Sequence, residues 1–421
     1  MDKFVITGGR PLKGTIKISG SKNAVLPVMA STLLSDGIFS IQNVPDLRDV
    51  NTMSRLLQSV GASVSFKNHQ LHITVNGYSH LEAPYDLVKT MRASIYVLGP
   101  MVARFGYAKV SMPGGCAWGP RPVNLHIEGL KRLGAKVEIR NGYIHAKARR
   151  LKGAHITFDV SSVGATGNVL MASTLAKGTT IVDNAAREPE IAHLIRCLQK
   201  MGAHISGSGT DHLEIEGVDA LHPDDFTIIP DRIETATFLV ATHVTSGNIH
   251  LDQANPAHIA SVLEKLQKSG AKITTGEDWI ELQSDGNIKP VDITTAVYPG
   301  FPTDMQAQWM ALMSLATGFS IVTDTIFTDR FTHVAELKRL GADIALDGNI
   351  AVIKGVKALS GAPVMSTDLR ASASLIIAGL VAKGRTDVSR IYHIDRGYEN
   401  IEKKLQSLGA AIYREKETLI V

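Results

Sequence analysis

A six-residue phrase, Leu-x-x-h-Gly-Ala with h usually apolar, recurs six times in this chain of 421 residues, starting at Leu57, Leu130, Leu198, Leu266, Leu337 and Leu405. Its glycines, Gly61, Gly134, Gly202, Gly270, Gly341 and Gly409, stand 68 to 73 residues apart, a spacing that marks internal repeats. A helical pattern runs into each copy and an alternating run follows, as in Ala62-Ser-Val-Ser-Phe, Ala135-Lys-Val-Glu-Ile and Ala271-Lys-Ile-Thr-Thr. Glycine enters the left-handed region without the Cβ clash other residues meet, so it is the residue expected just past a last helical turn. Every repeat therefore reads helix, stop, strand.

About forty residues before each glycine lies a second helical segment made of small and apolar residues, such as Asn23-Ala-Val-Leu-Pro-Val-Met-Ala, Gly164-Ala-Thr-Gly-Asn-Val-Leu-Met-Ala and Glu234-Thr-Ala-Thr-Phe-Leu-Val-Ala. Such a helix is apolar all round and belongs inside, whereas its partner ending in Gly-Ala carries charge on one face. The expectation is an α/β chain of six two-helix-plus-strands units grouped as two domains of three. The first domain covers residues 21–229. The second combines 1–20 with 230–421, because the strand pattern Thr15-Ile-Lys-Ile is left over and the last unit needs an opening strand. The chain then crosses between domains twice, near Gly20 and Pro230, and a cleft between them is where ligands are expected.

Net charge is only +4, which argues against a nucleic-acid partner. No run approaches the roughly 18 apolar residues of a membrane span, and the N-terminus has no apolar signal segment, so a cytoplasmic protein is expected. Two cysteines make no disulfide framework, and no Cys/His cluster has metal-ligand spacing. Neither a P-loop nor a strand-linked dinucleotide fingerprint is present.

Polar residues collect where helices start: Lys22 and Asn23, Arg92, Gly164, Asp231 and Glu234, Asp304, Asp368 and Arg370. Arg48, Arg121 and Arg396 each stand thirteen residues before a repeat glycine. Taken singly, each arginine is explained as a solvated helix-start residue. Taken together, helix N-termini with Arg and Lys converging on one end of a domain form a site for a strongly anionic ligand, phosphate or carboxylate.

The stretch Met112-Pro-Gly-Gly-Cys-Ala-Trp-Gly-Pro-Arg-Pro122 is a loop by composition. Cys116 at its tip, with Arg121 nearby, reads either as a reactive thiol or as an incidental one without a visible base. Cys197 reads as a buried structural thiol. Asp304 reads either as a helix cap or as a general base held among cations.

In order along the chain, Ser19-Gly-Ser-Lys-Asn-Ala, Pro113-Gly-Gly-Cys, Gly119-Pro-Arg-Pro-Val, Ala186-Arg-Glu-Pro-Glu, Pro230-Asp-Arg-Ile-Glu-Thr, Gly300-Phe-Pro-Thr-Asp-Met-Gln-Ala-Gln, Asp368-Leu-Arg and His393-Ile-Asp-Arg-Gly-Tyr resemble the signature blocks of the UDP-N-acetylglucosamine enolpyruvyl transferases, within the enolpyruvate transferase family. The resemblance implies two inside-out α/β barrel domains closing over phosphoenolpyruvate and UDP-N-acetylglucosamine, with enolpyruvyl transfer to the 3′-hydroxyl and release of phosphate at the start of peptidoglycan precursor synthesis. It implies neither metal nor cofactor, and no membrane insertion. By the same resemblance Lys22, Arg121 and Arg396 hold the donor's phosphate, and Arg92 and Arg370 support its carboxylate and nearby charge. Asn23 and Asp304 hold the acceptor hydroxyl, with Asp304 the base, and Cys116 protonates the methylene carbon or assists product release. Arg121, Pro122, Val123, Asn124, Leu125, Ser162, Val163, Gly164 and Ile326 line the nucleotide-sugar pocket, Arg330 stands near its rim, and Asp368 belongs to the substrate site.

Two positions depart from the family pattern: Asn124 stands where Asp is usual, and Trp118 where a smaller residue is common. Asn keeps a carbonyl acceptor but loses the charge. An enolpyruvyl transferase with another acceptor, a uridine nucleotide or shikimate 3-phosphate, and a non-catalytic paralogue that binds the sugar nucleotide are the competing readings.

Overall fold

The computed structural model of the chain describes residues 2–112 and 123–416. The repeated phrase is a helix C-cap in all six copies. Each glycine has positive φ, from 89° at Gly134 to 123° at Gly61. The alanine N–H after it donates to the carbonyl of the leucine that opens the phrase, from Ala203 to Leu198 at 2.9 Å through Ala342 to Leu337 at 3.1 Å. The glycine N–H donates to the next carbonyl, as Gly61 does to Gln58 at 3.1 Å and Gly409 to Gln406 at 2.9 Å. This pair of bonds is the Schellman motif, which satisfies carbonyls that a helix end leaves open. The leucines are buried, so one phrase both stops the helix and seats it on the core.

The strands form six four-stranded sheets of one design. In the second repeat Glu82–Ala83 runs parallel to Tyr107–Ser111, which pairs antiparallel with Tyr143–Lys147, and Lys136–Arg140 forms the other edge. The third and fifth sheets repeat this order with consecutive chain. The other three borrow strands. Phe226–Thr227 returns to open the first sheet beside Gly37–Gln42. Lys13–Lys17 opens the fourth beside Asn248–Asp252. Asp2–Thr7 enters the sixth between Arg385–Ser389 and Ala411–Lys416. The strand Lys13–Lys17, which holds Thr15-Ile-Lys of that pattern, thus completes the fourth unit, and the closing unit takes its extra strand from residues 2–7.

The chain divides into two compact units: Gly20–Ile229, and the residues up to Ser19 together with those from Pro230 onward. Each has its own hydrophobic core. In the second, the helices Arg232–Val244, Gln306–Met313 and Leu369–Val381 pack on one another and are buried along nearly their whole length. In the first, Lys22–Ser31 packs on the 3-10 segment Arg92–Val97, and Leu98–Phe105 packs on Val163–Ser173. The sheets lie outside these helices, with alternating residues turned to solvent, as in the buried Ile249 and Leu251 among exposed Asn248 and Asp252. This inside-out α/β arrangement of six repeats is the fold the sequence period anticipates.

One inner helix begins later than its apolar pattern. A helix from Arg92 would carry Pro100 in its interior, where the ring clashes and a bond is lost. The segment starts as 3-10 instead, and the α-helix begins at Leu98, which puts Pro100 in the first turn.

Candidate active site

In the first unit, Lys22 and Asn23 open the inner helix Lys22–Ser31. The Lys22 Nζ lies 2.7 Å from the Asp49 carboxylate, with only 12% and 4% of the two side chains exposed. Asp49 stands in the first turn of the amphipathic helix Arg48–Val60, while its neighbour Arg48 is exposed. Arg92 is half-buried at the start of the 3-10 segment. Ser162 caps the helix Val163–Ser173, its Oγ accepting from the Ala165 N–H at 3.3 Å. Val163, Leu125 and Val123 pack against the core of the same unit, and Asn124 is exposed at the first position of the helix Asn124–Arg132. Cys116, Trp118, Arg121 and Pro122 lie outside the described residues. Cys197 is buried, which pushes its thiol up to about 12.

In the second unit the centre is Asp304. It does not cap its helix. It lies in the 3-10 turn Thr303–Met305, and Oδ1 meets Arg330 at 2.9 Å while Oδ2 meets Arg370 at 2.6 Å. Burial alone would raise this carboxyl, but Arg370 and Arg330 outweigh it and hold the group well below the usual carboxylate range. Both guanidinium groups are buried, with 8% and 6% of the side chain exposed. Arg330 also donates to Thr303 Oγ1 at 3.1 Å, and Thr303 donates to the buried Asp324 at 2.8 Å. Arg370 lies 3.3 Å from the Tyr398 hydroxyl, itself 2.8 Å from Thr237. A continuous chain of polar contacts therefore runs through the carboxylate from Asp324 to Thr237, and it fixes both arginines.

Asp368 is the helix cap here: its Oδ1 accepts from the backbone N–H of Arg370 at 2.7 Å and Ala371 at 3.2 Å, which sets the start of Leu369–Val381 and so the position of Arg370. Ile326 is held through its N–H to Asp324 at 3.0 Å. Arg396 ends the 3-10 segment Ile391–Arg396, whereas Arg48 begins an α-helix, so equal spacing from the glycine does not give these two arginines equal local settings.

Reading by residue type missed Asp49, Thr303, Asp324 and Tyr398. Tyr398 ends the block that begins at His393, and Asp49 adjoins Arg48, so their places were visible in the sequence although their partners were not. Among the described residues no group of three or more His, Cys, Asp or Glu could hold a metal ion, and no helix is long and apolar enough to cross a membrane.

Two buried arginines gathered on one carboxylate, within a six-repeat inside-out α/β chain, are the features to set beside known proteins. The family model described as EPSP synthase (3-phosphoshikimate 1-carboxyvinyltransferase) matches residues 6–405, and the chain belongs to that family of enolpyruvyl transferases. Within it, the chain is 57% identical over 418 residues to the UDP-N-acetylglucosamine 1-carboxyvinyltransferase of Chloroherpeton thalassium, covering 99% of this chain and 97% of that one. It is 56% identical over 417 residues to the enzyme of the same name from Shewanella sp. strain ANA-3, covering 98% and 100%. The crystal structure of the enolpyruvyl transferase NikO from Streptomyces tendae superposes with a TM-score of 0.89 at 25% identity, covering 99% of both chains.

Proposed function

We propose that the chain transfers the enolpyruvyl group of phosphoenolpyruvate to the 3′-hydroxyl of UDP-N-acetylglucosamine, releasing phosphate, as the opening step of peptidoglycan precursor synthesis. The observation that carries this reading is likeness over essentially the whole chain, at more than half of all positions, to relatives of that name. The Asp304 cluster supports it chemically.

In the addition, the acceptor oxygen bonds to C2 of the donor, its proton passes to Asp304, and an acid delivers a proton to the C3 methylene. In the elimination, the C2–O bond to phosphate breaks and C3 gives its added proton back. Positive charge develops at C2 and negative charge on the departing phosphate, so fixed guanidinium and ammonium groups lower the barrier. Lys22, Arg121 and Arg396 take the phosphate in this reading. Arg92 and Arg370 take the carboxylate, Asn23 orients the hydroxyl, and Cys116 supplies the acid or assists release. Val123, Asn124, Leu125, Ser162, Val163, Gly164 and Ile326, with Pro122, line the nucleotide-sugar pocket.

Asp304 paired to two arginines is a weak base, because its charged form is already satisfied. The donor's own carboxylate is the natural competitor for Arg370, and drawing that guanidinium away returns basicity to Asp304 at the moment both substrates are present. Both substrates are soluble metabolites of the cell interior, and a cytoplasmic location belongs to the same reading. Incubation with the two substrates and mass analysis of the nucleotide tests it: one enolpyruvyl group gained per phosphate released is expected, and no gain overturns the proposal.

A further inference from the structure

In each repeat a strand follows the inner helix, and the chain does not leave that strand in the same way each time. After Gly37–Gln42, Thr179–Asp183, Asn248–Asp252 and Arg385–Ser389 it turns through a left-handed residue, Asn43, Asn184, Gln253 or Arg390, with φ between 54° and 57°. The second and fifth repeats omit that residue. Met112 follows Tyr107–Ser111 and donates to the Gly142 carbonyl at 2.8 Å, and Asp324 follows Phe319–Thr323 and donates to the Asn349 carbonyl at 2.9 Å.

In the fifth repeat a side chain then takes over the turn. Asp324 is fully buried, and among the described residues its carboxylate accepts four hydrogen bonds. Oδ1 takes the Thr295 hydroxyl at 2.8 Å, the Ile326 N–H at 3.0 Å and the Phe327 N–H at 2.9 Å, while Oδ2 takes the Thr303 hydroxyl at 2.8 Å. A carboxylate stays in an interior only against several donors, and turning the chain does not require one, since four repeats do it with a backbone torsion. What the carboxylate adds is that its two oxygens reach two places. Oδ1 sets the backbone of Ile326 and Phe327, and the Arg330 N–H donates in turn to the Phe327 carbonyl at 3.1 Å. Oδ2 takes the single hydroxyl proton of Thr303, so Thr303 Oγ1 faces Arg330 as an acceptor at 3.1 Å, and Arg330 meets Asp304 Oδ1 at 2.9 Å.

We propose that Asp324 is a positioning residue of the transfer reaction, fixing Ile326 at the nucleotide-sugar pocket with one oxygen and, through Thr303 and Arg330, the Asp304 base with the other. This rests on the reaction proposed above, in which Ile326 lines the acceptor pocket and Asp304 takes the acceptor's proton. One buried group then sets where the acceptor lies relative to where its proton goes. It also explains the threonine at 303, whose hydroxyl donates to Asp324 and accepts from Arg330, whereas a valine of the same shape would leave both partners unmatched.

The test separates the two arms. Thr303→Val keeps the shape and removes the hydroxyl, Thr303→Ser restores it, and Asp324→Asn keeps one oxygen for the Ile326 and Phe327 N–H groups while facing Thr303 with an amide N–H. Steady-state kinetics are expected to show kcat lower by fivefold or more in Thr303→Val and Asp324→Asn, with the KM for UDP-N-acetylglucosamine within twofold of native, and kcat within twofold of native in Thr303→Ser. Asp324→Ala cuts both arms and is expected to raise that KM by fivefold or more as well. Near-UV circular dichroism of each variant reports its fold, and in the native chain hydrogen exchange read by NMR is expected to show the Ile326 and Phe327 amides protected. Native kcat in a folded Thr303→Val overturns the proposal, as does a Thr303→Ser no better than Thr303→Val. A KM for UDP-N-acetylglucosamine that rises in Thr303→Val as far as kcat falls also overturns it, because the threonine is then merely structural. Ile326 and Phe327 amides that exchange as fast as free loop amides overturn it whether or not the variants fold. If the native chain makes no enolpyruvyl product from phosphoenolpyruvate and UDP-N-acetylglucosamine, it is the functional reading beneath that fails.

Discussion

Replacing Asp304 with asparagine removes the one negative charge that two buried guanidinium groups share. Breaking a buried ion pair by deleting one partner costs about 3–5 kcal/mol, because the remaining charge stays desolvated. Here the carboxylate is 28% exposed and the new amide oxygen can still accept one bond, worth about 1 kcal/mol. Water access and that bond bring the expected loss for Asp304→Asn to about 2 kcal/mol. Catalysis falls further than stability. Losing a positioned base lowers a rate by about 10²–10⁴, whereas the acceptor should still bind, since the amide keeps an acceptor at the same place. Phosphate release under saturating substrates measures turnover, and urea denaturation measures stability. A folded Asp304→Asn that turns over within tenfold of the native chain would refute the base assignment. Unchanged stability would show instead that the two arginines do not depend on this carboxylate.

Four further results are expected. Gly341→Ala, where an added Cβ meets nothing within 4 Å, should cost only the strain of positive φ, about 1–2 kcal/mol; Gly270→Ala, whose Cβ would meet the Asn287 carbonyl at 2.8 Å, should cost visibly more, and equal losses in denaturation would contradict the cap geometry. His126 and His333 are both lowered by burial to about 4 from 6.5, so between those values the unfolded chain binds more protons and stability rises with pH, by up to about 3 kcal/mol for each histidine; denaturation at pH 5 and 7 should show a smaller difference in the His126→Leu/His333→Leu double variant, and an undiminished one would contradict it. Asn124→Asp puts a negative charge at an exposed first helical position, expected to add about 0.5 kcal/mol of stability and to leave UDP-N-acetylglucosamine affinity unchanged or tighter; a tenfold loss would mean that the pocket is built around the amide. Asp49→Asn removes the carboxylate charge 2.7 Å from the Lys22 ammonium and is expected to raise the KM for phosphoenolpyruvate more than it lowers kcat, whereas an unchanged KM would mean that Asp49 does not position Lys22.

The repeat was legible because its signal is local. Six glycines with positive φ and six alanine-to-leucine bonds are decided within six residues, and the sequence displays them directly. The borrowed strands were legible only in part, since Phe226–Thr227 and Asp2–Thr7 are placed by the need to complete sheets whose other strands lie far along the chain. Asp304 shows the limit in the site. Its position at a helix start reads as a cap or as a base, and the partners that take its carboxylate away from the cap role, Arg330 and Arg370, stand 26 and 66 residues further on. The same logic runs the other way at Asp368, where an acidic residue singled out with the substrate site turns its carboxylate to the helix it begins.

The acceptor is the centre of the functional assignment, and one competition measures it. Phosphate release from phosphoenolpyruvate is followed with UDP-N-acetylglucosamine, UMP and shikimate 3-phosphate offered separately and then together. Turnover with UDP-N-acetylglucosamine, at a kcat/KM at least a hundredfold above either rival, is the expected result; preferred transfer to UMP or shikimate 3-phosphate, or no release with any of the three, would contradict it.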